Sequence, residues 1–270
     1  MLNEYRFGDI YIRHAVDNCP DDKDFTMHIH EQCEMYFFVS GNVEYLVEGS
    51  RYPLDENSLM IMRPAEAHKP KIIGGEKYER YAINFPVDFA FDIDPEGRLA
   101  KAFIQRTLGK NNMLDASEID MKLVHKLFAE MCEPTNDYTR QLTIKTHLMI
   151  LLDMISRAYN KQGTVEHKPT STAERIVAYV NNHLFDDISV PKLAEHFYLS
   201  SSQFSRVFRQ ATGAAPWEYI TKKRLTAAKE KIRSGYSAQK AAESCGFGDY
   251  SAFYRAYTKH FGCAPKNSSE

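Results

Sequence analysis

Residues 200–213, SSSQFSRVFRQATG, have the pattern of a short helix with clear ends. Ser200 and Gln203 form an S-x-x-Q capping box at its start. Gly213 suits the left-handed backbone that ends many helices. Apolar residues recur at helical spacing and predict a buried stripe, made up of Phe204, Val207, Phe208 and Ala211. The outward face is then small, polar and basic, with Ser202, Ser205, Arg206 and Arg209.

A second short helix is predicted directly upstream, over residues 190–198 (VPKLAEHFY), with Ser189 as its N-cap. Leu199 and Ser200 leave room only for a tight turn between the two helices. This arrangement is typical of a helix-turn-helix, whose second helix enters the major groove of DNA. An ordinary helical hairpin fits this segment equally well when the segment is taken alone.

The pattern returns near the C-terminus, and the repetition favours the helix-turn-helix. Ser237 caps AQKAAESC, residues 246–248 (GFG) predict the turn, and Asp249 caps YSAFYRAYTKHFG. The apolar stripe consists of Phe253, Tyr257 and Phe261, and the outward residues are Tyr250, Ser251, Arg255 and Lys259. Residues 216–234 (PWEYITKKRLTAAKEKIRS) predict one helix that joins the two units, with its surface covered by Lys222, Lys223, Arg224, Lys229, Lys231 and Arg233.

Residues 171–265 closely resemble the AraC/XylS-type transcription regulators. The resemblance lies in LAEHFYLSSSQFSRVFRQATG, RLTAAKEKI and CGFGDYSAFYRAYTKHFGCAP. It implies a regulator and not an enzyme, which binds double-stranded promoter or operator DNA as a homodimer, with RNA polymerase as a further candidate partner. It assigns base contacts to Ser202, Ser205, Arg206, Tyr250, Ser251 and Arg255. Arg209, Lys259 and the lysines of the joining helix are better placed for phosphates.

Composition places the chain among cytoplasmic globular proteins. No apolar run approaches the length of a membrane span, and the N-terminus lacks the apolar core of a signal peptide. The five cysteines are scattered without a CxxC pair, which argues against a disulfide framework. Residues 170–270 carry 14 Lys and Arg against 9 Asp and Glu, although the whole chain has a net charge of −2. The basic part is the part with the helix-turn-helix units, as DNA binding requires.

Residues 1 to about 90 are predicted to form β-structure, as a small barrel or sandwich. Short apolar or alternating runs at 10–12, 34–39, 43–47, 58–62 and 78–85 are separated by Gly, Pro and Asn. Residues 95–161 change to helical spacing, with helices predicted over 98–108, 121–132 and 138–159. The last of these is apolar over much of its circumference, so it is buried on several sides or forms a dimer contact.

One polar pattern in the β-region points to a site. His28, His30 and Glu34 would share one face of a strand that also carries Gln32, Tyr36 and Phe38. His68 follows SLMIMRPAEA and is expected at the end of another buried strand. The spacing H-x-H-x3-E-x6-G resembles the first motif of the cupins, which are β-barrels. Pro64-x3-His68 resembles part of the second motif, although Glu66 stands where a Gly is usual.

Three interpretations of these residues stay open. They line an effector pocket for a small polar molecule such as a sugar, with His28, His30, Glu34, Tyr36 and His68 as candidates. They hold a metal ion through His28, His30, Glu34 and His68, as in a cupin enzyme. Or they only pack the barrel. We predict the effector pocket, with no cofactor.

These inferences define a multidomain β plus α chain. Residues 1–92 are predicted to be a cupin-like effector-binding barrel, and residues 93–161 a helical segment for packing or dimerisation. Residues 162–171 are polar, with Gly and Pro, and are predicted to be a linker. Residues 172–266 are the predicted all-helical DNA-binding domain, with helix-turn-helix units at about 189–212 and 237–261.

Overall fold

The computed structural model describes residues 1–162, 169 and 171–265. In these ranges a β-domain comes first, four helices pack on it, and a helical domain follows. The strands are β1 (Leu2–Phe7), β2 (Ile10–Asp17), β3 (Cys33–Ser40), β4 (Val43–Val47), β5 (Ser50–Pro53), β6 (Ser58–Met62), β7 (His68–Ile72) and β8 (Tyr78–Phe85).

Two antiparallel sheets face each other and form a flattened barrel. One has the strand order β1-β2-β8-β3-β6 and the other has the order β5-β4-β7. Buried side chains from both sheets meet between them, among them Tyr36, Phe38, Tyr45, Met60 and Tyr78. Because strand side chains alternate between faces, the even-numbered residues of β3 point into this barrel and the odd-numbered ones point away from it. The expected cupin-like β-domain is confirmed.

The runs at 43–47, 58–62 and 78–85 are confirmed as strands β4, β6 and β8. The strand predicted to begin at His28 is wrong, since β3 begins at Cys33 and His28 makes only an isolated bridge to His68. The chain changes sheets here, from a partner in β7 to partners in β6 and β8, and this change breaks the strand. His68 does not end a buried strand either. It begins β7, after a turn in which Ala65 adopts a left-handed backbone, with φ of 60°.

The outer face of the five-stranded sheet is covered by α1 (Asp88–Ile93), α2 (Lys101–Ile104), α3 (Met121–Cys132) and α4 (Asp137–Gln162). Their buried side chains form one core with the odd-numbered residues of β3. The helix predicted over 98–108 is wrong in length, because only residues 101–104 are helical. The Arg106 guanidinium bonds the carbonyls of Ala102 and Lys110, so these carbonyls are satisfied without further helical turns.

The helical domain contains α5 (Thr172–Asn182), α6 (Val190–His196), α7 (Ser201–Thr212), α8 (Pro216–Arg233), α9 (Ala238–Ser244) and α10 (Tyr250–Phe261). The local signals in the sequence are confirmed. Both bonds of the Ser200–Gln203 capping box are present, and Gly213 ends α7 with φ of 78°. Side chains of Ser171, Ser189, Ser237 and Asp249 cap the starts of α5, α6, α9 and α10, whereas α8 begins at Pro216 without a side-chain cap.

Most of the predicted linker, residues 162–171, lies outside the described residues, as do residues 266–270. Within the described ranges, no helix combines the length and the apolar character that crossing a bilayer requires.

Candidate DNA-binding surface and ligand site

The outward face of α7 is polar and accessible. Phe204 and Phe208 are fully buried, whereas the opposite side of the helix meets solvent. On that side the structure brings together all four residues predicted for this helix: Ser202, Arg206 and Arg209, which are exposed, and Ser205, which is half-buried.

Helix α10 repeats this arrangement in the second unit. Phe253 and Tyr257 are fully buried. The predicted residues Tyr250, Ser251, Arg255 and Lys259 are all exposed. Tyr254 is also 43% exposed beside them, and this aromatic side chain was not among the predicted residues.

A buried arginine of α8 connects the segment after α5 to the turn of the second unit. The Arg224 guanidinium donates to the carbonyls of Leu184 at 2.7 Å and Asp186 at 2.8 Å, which follow α5. It also donates to the carbonyl of Gly246, in the turn of the second unit, at 2.6 Å. Arg224 and Lys223 are each only 5% exposed, so the expectation that both lie on the helix surface is wrong. Their buried partners come from distant parts of the chain, which helical spacing does not reveal.

The barrel forms the opposite wall of a groove along α7. This groove, of about 740 Å³, is lined by Ser202, Ser205, Arg206 and Arg209 on one side and by Arg51, Lys69 and Lys71 on the other. Arg51 donates to the Gln210 carbonyl at 3.2 Å, near the end of α7. Asp22 and Glu44 pair with some of these basic groups. Basic side chains therefore lie on both sides of this groove, and those of the barrel are partly neutralised by carboxylates.

Three histidines and a glutamate meet at one end of the barrel. One potential ligand atom from each of His28, His30, Glu34 and His68 lies within 4.8 Å of the others. His30 Nε2 is 2.8 Å from Glu34 Oε2, and His68 Nε2 is 3.4 Å from the same oxygen. Asn84 also donates to this oxygen at 2.9 Å. Three imidazoles and a carboxylate are a donor set that suits a divalent transition-metal ion.

The protonation of this cluster is set by burial and by its single carboxylate. Burial alone would raise the pKa of Glu34, but hydrogen bonds and charge from His30 and His68 hold it well below its ordinary value. Burial and the neighbouring His68 lower the pKa of His28. Burial also acts to lower the pKa of His68, but Glu34 outweighs it and the net shift is upward. At neutral pH Glu34 is therefore ionised, and it is the single carboxylate among three imidazole rings.

Tyr36 and Gln32 do not join this cluster. The Tyr36 hydroxyl hydrogen-bonds the Tyr78 hydroxyl inside the barrel, and the Gln32 side-chain amide donates to the Asp9 carbonyl. Tyr36 and His28 instead line a cavity of about 280 Å³, together with Arg13, Tyr45, Tyr78 and Arg80 among others. Arg80 is paired with Asp17 and lies over the Tyr78 ring. The cavity thus combines aromatic faces with hydroxyl and guanidinium groups.

Glu66, the departure from the cupin pattern, is a structural residue. It forms an ion pair with Arg106 at 3.1 Å, and both side chains are fully buried. Its carboxylate also accepts from the backbone N–H groups of Arg63 and Gly109 and from Asn112 Nδ2. This network fixes the turn that leads into His68.

The β4–β5 turn inserts into the DNA-binding domain. Glu48 occupies its first position with φ of 48°, a left-handed conformation that is uncommon for Glu. Its carboxylate accepts from Lys223 Nζ at 2.6 Å, from Asn181 Nδ2 at 2.8 Å and from the Tyr219 hydroxyl. Burial and the nearby carboxylate raise the pKa of Tyr219 well above its ordinary value, so the phenol remains a donor. One buried carboxylate of the barrel thereby holds α5 and α8.

An apolar contact surrounds this polar one. Met27, Ile29 and Ala67 of the barrel are buried in one cluster with α5, α6, α7 and α8. At the edges of the contact, Lys110 pairs with Glu174 at 2.8 Å and Lys229 pairs with Glu31 at 3.2 Å. The two domains are thus docked through a buried core with charged pairs around it.

Gly49, the second residue of the turn, has no room for a side chain. Its φ is 84°, and an added Cβ would lie 2.9 Å from Val177 Cγ2 of α5. Gly49→Ala is therefore expected to lower the free energy of unfolding by about 1–3 kcal/mol, from backbone strain and overpacking. Urea unfolding measures this, with Gly75→Ala as the control, since nothing lies within 4 Å of its added Cβ. Equal stability of the two variants would contradict the tight docking of this turn.

Comparison with known protein families assigns both domains. The family model described as an AraC-like ligand binding domain matches residues 14–152, just over half of the chain. This chain belongs to the AraC family of transcription regulators. A helix-turn-helix domain model matches residues 193–269. The AraC-type resemblance of the sequence is confirmed, as is the order of a cupin-like β-domain followed by a helical DNA-binding domain.

AraC-family relatives match along most of this chain. Over 205 residues it is 31% identical to the HTH-type transcriptional regulator YobQ of Bacillus subtilis, covering 67% of this chain and 83% of that one. Over 268 residues it is 26% identical to the HTH-type transcriptional activator RhaS of Escherichia coli, covering 94% and 90%. These relatives are named as transcriptional regulators, not as enzymes.

Solved structures of similar proteins include ToxT and the DNA-binding domain of AdpA in a complex with DNA. ToxT from Vibrio cholerae is 11% identical, covers 96% of this chain and 97% of its own, and superposes with a TM-score of 0.40. The DNA-binding domain of AdpA, in complex with a target DNA, is 30% identical over 34% of this chain and 83% of its own, with a TM-score of 0.33.

Proposed function

We propose that this AraC-family regulator reads specific DNA sequences through α7 and α10, and that a small ligand in the barrel controls the reading. The observation that carries the proposal is the pair of capped helices that expose Arg206 and Arg255 at matching positions. Helix α8 joins them, and Arg224 on α8 bonds both the segment that precedes the first unit and the turn of the second unit, which restrains their separation. Two recognition helices at a restrained separation suit successive major-groove segments of one duplex, about 34 Å apart.

The exposed side chains suggest how the contacts divide. Arg206 and Arg255 can each chelate the O6 and N7 atoms of a guanine. Short side chains and one phenol beside them, those of Ser202, Ser205, Tyr250 and Ser251, can reach neighbouring bases. Arg209 and Lys259 are left for phosphates, which position the protein without specifying sequence. Lys223 and Lys229 are occupied by barrel carboxylates, so the phosphate role does not extend to them.

Selection of duplexes from a random DNA library tests sequence-specific binding. We expect the selected duplex to bind at least about a hundredfold more tightly than a scrambled duplex at one fixed salt concentration. Equal and equally salt-sensitive binding to the two duplexes would contradict the proposal.

The proposed ligand is a small polar molecule, with a monosaccharide as the class that we favour. The barrel cavity offers the faces of Tyr45 and Tyr78 beside the guanidinium of Arg13, which suits a molecule with hydroxyl groups on an apolar ring. The DNA-binding assay, repeated with a panel of monosaccharides, tests this. A ligand can shift the DNA affinity only by its differential affinity for the two states, so a sugar that binds without changing DNA affinity would rule out control by that sugar.

Homodimerisation is proposed to use the exposed side of α4. Tyr138, Leu142, Met149 and Ile150 are 42–78% exposed there, although the same helix is fully buried on its other side. A second copy would cover these residues. We also propose RNA polymerase as a partner, since a regulator bound at a promoter lies beside it.

The double substitution Leu142→Glu and Met149→Glu is expected to convert the dimer to a monomer, because it places charges in an apolar contact. Sedimentation equilibrium measures the mass, with Lys126→Glu on the exposed side of α3 as the control. A wild-type protein that sediments as a monomer at micromolar concentration would contradict the proposal.

A further inference from the structure

The two recognition helices match position by position because their ends are in register. Ser200 caps the start of α7, and Asp249 caps the start of α10. Gly213 and Gly262 end these helices, with φ of 78° and 73°. Each helix has 12 residues between its ends, so every position of α7 has a counterpart in α10. Differences between counterparts show what each unit presents to DNA.

The outward face of α10 carries two tyrosines where α7 carries serines. Matched outward positions in the first half of each helix include Arg206 and Arg255, Ser202 and Ser251, Ser201 and Tyr250, and Ser205 and Tyr254. The first two pairs are identical, and in the last two a serine of α7 is replaced by a tyrosine of α10. The second unit therefore presents a much larger aromatic surface beside its arginine than the first unit does.

The two phenol rings form one apolar patch on the surface of α10. Tyr250 and Tyr254 are 38% and 43% exposed, and their ring centroids lie 6.4 Å apart, one helical turn along the same side. The Tyr250 ring also packs against the fully buried Phe253, with centroids 5.8 Å apart. Tyr254 therefore lies beside a ring that is anchored in the core, and it directly precedes the exposed Arg255 in the chain.

An exposed aromatic ring on a recognition helix has one apolar partner in the major groove. Base edges there present hydrogen-bond donors and acceptors, and the C5-methyl group of thymine is the exception. Phosphates carry charge and are the partners of Arg and Lys. A ring that covers the methyl group excludes water from both apolar surfaces, which is favourable. Serine offers only a short hydroxyl group at the same position, so α7 lacks this contact.

We propose that Tyr254 is a specificity-determining residue of the second unit: its ring, supported by Tyr250, covers the methyl group of a thymine beside the guanine that Arg255 chelates. The second unit then selects thymine at this position, and the first unit has no equivalent preference. This proposal rests on the proposed reading of DNA by α10 and specifies one base of its half-site.

Removal of single methyl groups from the DNA tests the contact. In the selected duplex, each thymine of the half-site that Arg255→Ala ceases to recognise is replaced by 2′-deoxyuridine, which lacks only the methyl group. One of these replacements is expected to weaken binding of the full chain about fourfold, as the burial of one methyl-sized group implies. Thymines in the half-site of the first unit are the control and are expected to give no comparable loss.

Variants of Tyr254 assign the loss to its ring. Tyr254→Ser gives α10 the residue that α7 has at the matching position, so a recognition helix accommodates it. This variant is expected to bind the thymine and deoxyuridine duplexes equally, whereas Tyr254→Phe keeps the ring and is expected to keep the difference. Tyr236→Ser is the control variant, because Tyr236 is 51% exposed and lies outside both recognition helices.

The outcomes separate the role of Tyr254 from the proposed function. A second half-site without thymine, a deoxyuridine duplex that binds as tightly as the thymine duplex at every position, or a difference that survives in Tyr254→Ser would each overturn the role of Tyr254. Each of these results is compatible with tighter binding to the selected duplex than to the scrambled one, so the reading of DNA would stand. Equal binding to selected and scrambled duplexes would overturn the reading of DNA, and the role of Tyr254 with it.

Discussion

Glu48→Ala is expected to undock the two domains, with a loss of about 3–5 kcal/mol in the free energy of the docked state. The substitution leaves the ammonium group of Lys223 buried opposite a methyl group, and it removes the acceptor of Tyr219 and Asn181. A buried charge that loses its partner costs far more than the pair contributes when intact. The new residue would also keep the left-handed backbone at position 48, so little strain is relieved.

Hydrogen exchange and urea unfolding measure this loss in the full chain. Amides in α5 and in the first half of α8 are expected to exchange faster in Glu48→Ala, and unfolding is expected to divide into two transitions. Glu44→Ala is the control on the same hairpin, since its partners Arg51 and Lys71 are on the surface and such pairs contribute about 0–1 kcal/mol. Wild-type exchange and one unchanged transition in Glu48→Ala would show that Glu48 does not hold the domains.

Replacing Arg206 and Arg255 together with alanine is expected to weaken binding to the selected duplex by about 2–6 kcal/mol. Each guanidinium is expected to contribute about 1–3 kcal/mol of discrimination, and the two lie in separate units, so their effects should add. Both side chains are exposed and outside the buried stripes of their helices, so the fold should be unaffected. The affinity for scrambled DNA is expected to change much less, because phosphate contacts supply it.

Arg209→Ala is the matched comparison for this pair. It removes a proposed phosphate contact on the same helix, so all sequences should weaken together and the slope of log affinity against log salt should fall by about one. Competition binding at several salt concentrations distinguishes the two patterns. If the double variant loses affinity equally for selected and scrambled duplexes, Arg206 and Arg255 do not read bases.

The parts of the fold that are determined by residues close together in the sequence could be predicted from it. The Ser200–Gln203 box, the apolar stripe of α7 and the Gly213 terminus act within a few residues of each other, and all are present. The repeat of this pattern in α10 favoured a helix-turn-helix over an ordinary helical hairpin, because two matching units carry more information than one.

The contacts between distant residues could not be predicted in this way. Glu48 and Lys223 are 175 positions apart, and nothing in the pattern around either residue marks it as buried. Lys223 and Arg224 have the helical spacing of surface residues, yet each finds buried acceptors that only the tertiary structure supplies. Charged residues are seldom buried without such partners, so a rule based on residue type alone places Lys223 and Arg224 on the protein surface.

The barrel site was predicted in part. The pattern H-x-H-x3-E brought His28, His30 and Glu34 together correctly, and His68 joins them. The predicted strand was wrong, because the chain crosses between sheets before Cys33. Tyr36, six positions after His30 on the predicted face, consequently lines the cavity and not the cluster. Arg13 and Arg80 were missed since strands β2 and β8 carry no motif there.

The most direct measurement of the central claim is guanine methylation interference on the selected duplex, because methylation at N7 blocks the contact proposed for each arginine. Two clusters of interfering guanines, about 10–10.5 base pairs apart, are predicted for the wild type. Arg206→Ala should abolish one cluster and Arg255→Ala the other. A single cluster, or two clusters that both variants leave intact, would contradict the reading of DNA by α7 and α10.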